Sequence, residues 1–197
     1  MTDNTQTESP TESPKRRGKD DQSISDSSSN VQLGVFKLNE SVELPEFKTE
    51  QSACFDLAAF ASEGDSLNYY SFTNGNKQVR RVTDRGITVH TNERILIPTG
   101  LVFDIPEGYC LEIYPRSGTS YKQGLTLNNC TAIIDSDYVE EVFISIHNTG
   151  PSCHIQSGER IAQAKLVQLV KTNVTELSSK PKTKTSRKSG FGSTGKF

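Results

Sequence analysis

Two short stretches hold the residue types that could handle a phosphate ester. The first, Pro115-Arg116-Ser117-Gly118-Thr119-Ser120-Tyr121-Lys122-Gln123-Gly124, follows a β-prone run. A strand that ends in Arg-Ser-Gly and opens into a short helical turn presents unpaired backbone N–H groups, a hydroxyl and a guanidinium together. That combination is a phosphate cradle. The same residues also read as a Ser-capped turn beside a surface arginine. The second stretch is Asn129-Cys130-Thr131-Ala132-Ile133-Ile134-Asp135-Ser136-Asp137-Tyr138. Here an apolar strand end runs into two acids flanking a serine, with an aromatic after them. An aspartate side chain is ordinarily ionised at neutral pH, so one held at a strand end near phosphates could take a proton from an attacking water. A polar turn between two strands would use the same residues.

Elements that could position these groups are β-strands. In Glu141-Val142-Phe143-Ile144-Ser145-Ile146-His147 the residues Val142, Ile144 and Ile146 share one face. Similar short runs occupy 94–97, 101–105, 109–114 and 164–170, separated by the turn signals Pro98-Thr99-Gly100, Pro106-Glu107-Gly108, Asn148-Thr149-Gly150-Pro151 and Gln156-Ser157-Gly158. No helical period lasts three turns. The pattern predicts an antiparallel sandwich or barrel, with the jelly roll among the options. Between Asn68–Phe72 and Lys77–Val82, the Asn74-Gly75 pair predicts a protruding hairpin, because both central positions of a type I′ turn take positive φ.

Composition bounds the rest. Residues 1–30 hold only Met1 and Ile24 as aliphatic side chains and no aromatic, so they cannot bury enough surface to offset ordering and are expected to be a disordered tail. A domain of about 140 residues remains, over 31–171. From Lys171 onward there are seven basic residues and one acid, Glu176, ending in Gly190-Phe191-Gly192-Ser193-Thr194-Gly195. That composition predicts a mobile arm over 172–197 unless a ligand orders it. A net charge of −2 and a pI near 6.0 give no overall pull toward nucleic acid or a membrane, and neither is expected as a partner. Cys54, Cys110, Cys130 and Cys153 lack metal-ligand spacing, as do His90, His147 and His154, so reduced thiols in an intracellular, cytoplasmic protein are expected. Pro14-Lys15-Arg16-Arg17-Gly18-Lys19 has the make-up of a nuclear import signal, which would add a nuclear location in a eukaryote.

Taken in order, five segments resemble the five motifs of the trimeric dUTPase family. They are Ala53-Cys54-Phe55-Asp56-Leu57, Pro115-Arg116-Ser117-Gly118, Asn129 through Tyr138, Gly158-Glu159-Arg160-Ile161-Ala162-Gln163, and Gly190 through Gly195. Cys54 stands where the family usually has glycine. The resemblance implies a β jelly-roll homotrimer whose active sites draw on more than one subunit. It implies hydrolysis of dUTP to dUMP and pyrophosphate, which limits uracil in DNA and supplies dUMP for dTTP synthesis. Asp135 would be the general base for water attack on the α-phosphorus. Tyr138 would stack on the deoxyribose and exclude a 2′-hydroxyl, and Asn129 with the backbone of its hairpin would read the uracil edge. Ser117 and Gly118 would hold phosphates, with Arg116 and Gln163 reaching in from a neighbouring subunit. Mg²⁺ would ride mainly on the triphosphate and waters, with Asp56 acting through water at most or as a purely structural strand-end acid. In the arm, Phe191 would stack on uracil while Arg187, Gly192, Ser193 and Thr194 meet the terminal phosphates.

The nearest rival is dCTP deaminase, which shares the fold but carries a catalytic Glu in the strand where this chain reads Ile144-Ser145-Ile146-His147. A second rival is a dUTPase-like interaction module. The segment over about 60–92, assigned to the Asn74-Gly75 hairpin and its flanks, is longer than the family core needs and reads first as a tolerated surface insertion. In the rival reading, it or the N-terminal tail is where an added protein partner would bind.

Overall fold

A computed structural model describes residues 30–73 and 75–186. Nearly all of the N-terminal tail lies outside the described residues. So do Asn74 of the turn signal and Arg187, Phe191, Gly192, Ser193 and Thr194 of the arm. The compact unit that carries the strands starts at Gln32.

Thirteen strands and one helix follow in order: β1 (Gly34–Lys37), β2 (Phe55–Ala58), β3 (Ser66–Tyr70), β4 (Gln78–Arg81), β5 (Ile87–Val89), β6 (Arg94–Pro98), β7 (Leu101–Asp104), β8 (Tyr109–Pro115), α1 (Ser117–Gln123), β9 (Leu125–Leu127), β10 (Ala132–Ile134), β11 (Phe143–Asn148), β12 (Cys153–Ile155) and β13 (Arg160–Gln168). All pairings are antiparallel. One sheet runs β10-β8-β13-β2 and a second β4-β3-β6-β11-β9, with the short pairs β1–β7 and β12–β5 beside them. The protein is all-β, of jelly-roll type, with one short helix, as the sequence predicts.

Period-2 alternation builds the core. Ile95 and Ile97 of β6 and Ile144 and Ile146 of β11 are buried, while Arg94, Leu96 and Phe143 face out. From the other sheet come Leu57, Leu111, Ile113, Ala162 and Ala164. One deviation matters for the site. The β13–β2 register shifts between Arg160 and Ala162, and consecutive residues Ile161 and Ala162 are both buried. Such a bulge inserts one residue and re-aims those beyond it. Without it Gln163 would point inward; with it Gln163 and Arg160 share the outer face.

The predicted hairpin differs from expectation in one respect. β3 pairs β4 from Ser66↔Arg81 to Tyr69↔Gln78, but β3 also pairs β6 at Tyr69↔Ile95 and Tyr70↔Arg94. The hairpin therefore extends the five-stranded sheet rather than protruding, and its connection is the long segment 71–77 rather than a two-residue turn. A buried ion pair fixes it there. Arg80 Nη1 and Nη2 donate to the two Glu93 carboxylate oxygens at 2.5 and 2.8 Å, and Nη1 also donates to Thr88 O at 2.8 Å. The His90 N–H donates to Glu93 Oε2 at 2.7 Å, and the guanidinium lies 4.1 Å over the Tyr69 ring. Burial works against the Glu93 charge, but the hydrogen bonds from Arg80 and the His90 N–H outweigh it and hold the carboxyl below its ordinary range. The side chains of Arg80 and Glu93 are only 17% and 7% exposed.

Removing one partner of such a pair leaves an uncompensated buried charge. Arg80→Leu is therefore expected to lower unfolding free energy by about 3–5 kcal/mol in urea titrations. Because the Glu93 carboxyl is depressed in the folded state, its contribution is present above the unfolded value of about 4.3 and lost as pH falls through the folded value. The double variant Arg80→Leu/Glu93→Gln should accordingly lose less stability than wild type on acidification below about pH 4. Parallel acid profiles for the two proteins would remove the pair from this role.

Candidate functional site

The cradle is built at the end of β8. Arg116 is the N-cap of α1, with φ −85° and ψ 137°, and no side chain caps the helix. Ser117 is the first helical residue, so the Ser-capped alternative does not hold. First-turn N–H groups have no partner inside a helix, and Ser117 and Gly118, which carry two of them, are exposed. Thr119 is buried and its hydroxyl donates to Arg116 O at 3.0 Å, tying the turn down. At the other end Gly124 takes φ 71°, and a Cβ there would stand 2.5 Å from Gly150 N, so only glycine fits.

Beside this turn two arginines meet one carboxylate. Arg116 Nε donates to Asp56 Oδ1 and Arg160 Nη1 to Asp56 Oδ2, each at 2.8 Å. Arg116 Nη1 also donates to Arg160 O at 2.8 Å. Asp56 sits between buried Phe55 and Leu57, so alternation turns it outward, opposite Gln163 in the β13–β2 register. Gln163 Nε2 donates to Pro115 O at 2.9 Å. The structure thus brings Asp56, Arg116, Ser117, Gly118 and Gln163 together. Arg160 has a part here that the sequence reading did not give it; the signal was its outward position in the strand that follows Gly158.

Asp135 and Tyr138 are elsewhere. Asp135 is exposed and directly follows Ile134, whose partner is Leu111 on β8. Its carboxylate is near enough to Cys110 to add to the upward push that burial and Glu112 give that thiol. The Tyr138 N–H donates to Asp135 O at 3.2 Å, closing the Asp-Ser-Asp-Tyr turn, and the Tyr138 hydroxyl donates to Glu141 O at 2.8 Å. That bond pins the ring while leaving it 39% exposed. Asn129 is exposed before Cys130, which takes φ 61°. The expected hairpin around Asn129 is not formed by paired strands. β9 lies in the five-stranded sheet and β10 in the four-stranded one, so Asn129 and Cys130 carry the chain from one layer to the other.

Both groups lie on the outer face of the four-stranded sheet, but at opposite ends of β8. From Leu111 to Arg116 an extended chain covers about 16 Å. Between them stand Glu112, Tyr114 and Lys165. The Tyr114 hydroxyl donates to Glu112, and Lys165 Nζ lies 4.0 Å from Glu112 Oε2 and 5.2 Å over the Tyr114 ring. One chain therefore presents a phosphate cradle and an aspartate–tyrosine turn that cannot close on the same phosphate. Among the described residues no group of three or more His, Cys, Asp or Glu could hold a metal ion.

The dUTPase family model matches residues 82–195. Deoxyuridine 5′-triphosphate nucleotidohydrolase of Brucella melitensis is 36% identical over 172 residues, covering 86% of this chain and 96% of that protein. The same-named protein of Fusobacterium nucleatum is 36% identical over 170 residues, covering 84% and 98%. Among solved structures, the Staphylococcus bacteriophage 80alpha dUTPase with dUPNHPP superposes with a TM-score of 0.66 at 22% identity, covering 84% of this chain and 99% of that one.

Asp56 is what sets the two guanidinium groups beside the free amides. Asp56→Asn is expected to keep the fold, by circular dichroism, and to weaken tripolyphosphate binding about tenfold in calorimetry, the worth of one charge-assisted contact. Unchanged affinity would make the Asp56 pairing structural only.

Proposed function

We propose that this chain, which belongs to the dUTPase family, hydrolyses dUTP to dUMP and pyrophosphate at a site assembled from more than one copy of itself. The observation that carries this reading is the placement of the Asp56-anchored cradle and of Asp135 on one sheet face, too far apart to serve one substrate within a chain. Two copies set against each other across that face would bring the cradle of one to the aspartate of the other. A homotrimer with three such sites satisfies this by closed symmetry.

Within the composite site, the N–H groups of Ser117 and Gly118, the Ser117 hydroxyl and the Arg116 guanidinium hold phosphate oxygens, with Gln163 beside them. Asp135 of the other copy accepts the proton of a water as that water attacks the α-phosphorus, and the β,γ-pyrophosphate leaves. Tyr138, fixed through its hydroxyl to Glu141 O, lays its ring against the deoxyribose, where a 2′-hydroxyl would clash. Asn129 and its neighbouring backbone pair the uracil edge; cytosine would leave buried groups unpaired there, a large penalty. A Mg²⁺ ion would be held by the triphosphate oxygens and waters, and would supply charge neutralisation there. Asp56, whose two oxygens each accept from a guanidinium, would contact that ion through water at most. Phe191, Arg187, Gly192, Ser193 and Thr194 close over the nucleotide from the C-terminal arm. An intracellular, cytoplasmic location fits this substrate; among the described residues no helix is long and apolar enough to cross a membrane.

Pyrophosphate release from dUTP, dCTP, dTTP and UTP with Mg²⁺, with ammonia from dCTP followed in parallel, tests the reading. Release from dUTP alone is expected. Ammonia from dCTP would move the chain to the deaminase branch. Asp135→Asn should keep fold and nucleotide binding while losing on the order of 10²–10⁴ in turnover. Mixing inactive Asp135→Asn with inactive Arg116→Ala after co-refolding should restore about a quarter of wild-type activity, since random assembly leaves that share of composite sites intact. No recovery in the mixture would sink the shared-site architecture.

A further inference from the structure

The outer face of the five-stranded sheet is occupied by neither half of the proposed site. The β3–β4 hairpin widens this face, and alternation sets its character. Arg81 and Val79 of β4, Tyr70 of β3, and Arg94 and Leu96 of β6 all point outward, with Lys77 just before β4. Val79 is 61% exposed, and Phe72, in the adjoining loop, is 83% exposed. Among the described residues no strand position on this face carries a carboxylate. Lys77, Arg81 and Arg94 form no ion pair among the described residues. Glu93, the acid that pairs with the hairpin, is buried on the other side and consumed by Arg80, while the exposed Asp65 and Asp84 lie at the base of the hairpin, outside the strand positions of this face. The net charge of −2 therefore averages over a face that is locally cationic and aromatic.

A cavity of about 220 Å³ opens on this face, lined among others by Asn68, Tyr70, Lys77, Arg94, Asn128 and Ser145. It is smaller than the roughly 300–1,000 Å³ that engulf a whole small molecule, and it is open to solvent. Arg94 lies 5.4 Å over the Tyr70 ring, so a cation and a ring are already brought together at this opening. Amide and hydroxyl groups at its rim can both donate and accept.

From these observations we infer that the outer face of the β4-β3-β6-β11-β9 sheet binds single-stranded nucleic acid. Its unpaired cations meet phosphates and its exposed Tyr70 and Phe72 rings stack on bases. An open β-sheet face with cations and aromatics interleaved is a recurrent platform for unpaired bases, since every base has a π-face and every linker a negative charge. An acidic peptide would engage Lys77, Arg81 and Arg94 but leave the rings and Leu96 unused. A duplex hides its base faces. Nothing on the face selects for or against a 2′-hydroxyl, so DNA and RNA strands share the chemistry. The face lies across the sandwich from the one carrying Asp56 and Asp135, so copies meeting at the latter leave it to solvent. Only this last point rests on the proposed assembly.

The test is fluorescence anisotropy of the full chain with labelled twelve-nucleotide oligo-dT and oligo-rU, with dUTP hydrolysis read on the same samples. Saturable binding of either strand at 50 mM salt is expected, weakening roughly 20-fold at 200 mM if three phosphates are contacted. Lys77→Glu/Arg94→Glu should weaken binding at least tenfold and Tyr70→Ala at least about fivefold, with hydrolysis near wild type in both. If the double reversal loses hydrolysis through misfolding, Lys77→Ser carries the comparison, with a salt slope lower by about one. Absence of binding of both strands at 50 mM overturns the inference. So does binding that survives the Lys77 and Arg94 changes, which would place it on the basic segment after Lys171. Equal binding of a twelve-base-pair duplex, or displacement by poly-glutamate as readily as by unlabelled strand, overturns it too, the latter in favour of an acidic protein partner.

Discussion

A β-strand cannot turn back within its own length, and that stiffness governs what one copy of this chain can do. β8 carries the Arg-Ser-Gly turn at one end and, through its pairing with β10, Asp135 near the other. Because the strand is straight, the two groups are held apart by roughly its length. Everything chemical follows from that separation. On the proposed reading, the cradle and the aspartate turn of one chain are each half of a site, and the outer face between them would be a meeting surface between copies. Glu112, Tyr114 and Lys165 stand in the middle of it, already satisfied among themselves. They would therefore enter such a contact as a partly neutralised group rather than as three bare charges.

Precision at the cradle comes from a register fault and a shared counter-ion. The bulge at Ile161 lets two consecutive residues be buried and returns Gln163 to the face that Arg160 and Asp56 occupy. Asp56 then accepts from both guanidinium groups through different oxygens. Two cations held this close would repel each other, and one carboxylate between them offsets that repulsion while fixing the direction of each fork. Arg116 also caps its neighbour's carbonyl, so its side chain is set before any phosphate arrives. Such preorganisation costs less on binding than ordering a loose side chain.

The two layers of the sandwich have opposite characters. The four-stranded sheet presents mixed charges that pair with each other. The outward strand positions of the five-stranded sheet hold cations and rings with no acid among them, while Glu93 lies buried against Arg80. A hairpin that reads as a protruding surface insertion is, in the folded chain, an extension of the five-stranded sheet.

The sequence by itself determined the all-β class and the longer strands, and it named the groups proposed to handle phosphate. Alternation of Ile144 and Ile146 with Ser145 and His147, and Gly or Pro between runs, are local signals that depend on near neighbours alone. Asp56, Arg116, Ser117, Asp135 and Tyr138 were legible because their motifs are contiguous. What only the tertiary structure decided is what meets what. The pairing of Asp56 with Arg160 spans more than a hundred residues, and no local pattern encodes it. The bulge at Ile161 shows only in the register against β2. The docking of β3 on β6 depends on a buried Arg80–Glu93 pair that reads in sequence as two ordinary charges. The expected hairpin around Asn129 failed for a related reason: adjacent strands in sequence pair only if they stay in one layer, and which layer β10 joins is set by β8, not by the turn before it. Local physics fixes the elements and their chemistry; long-range packing fixes which faces they share.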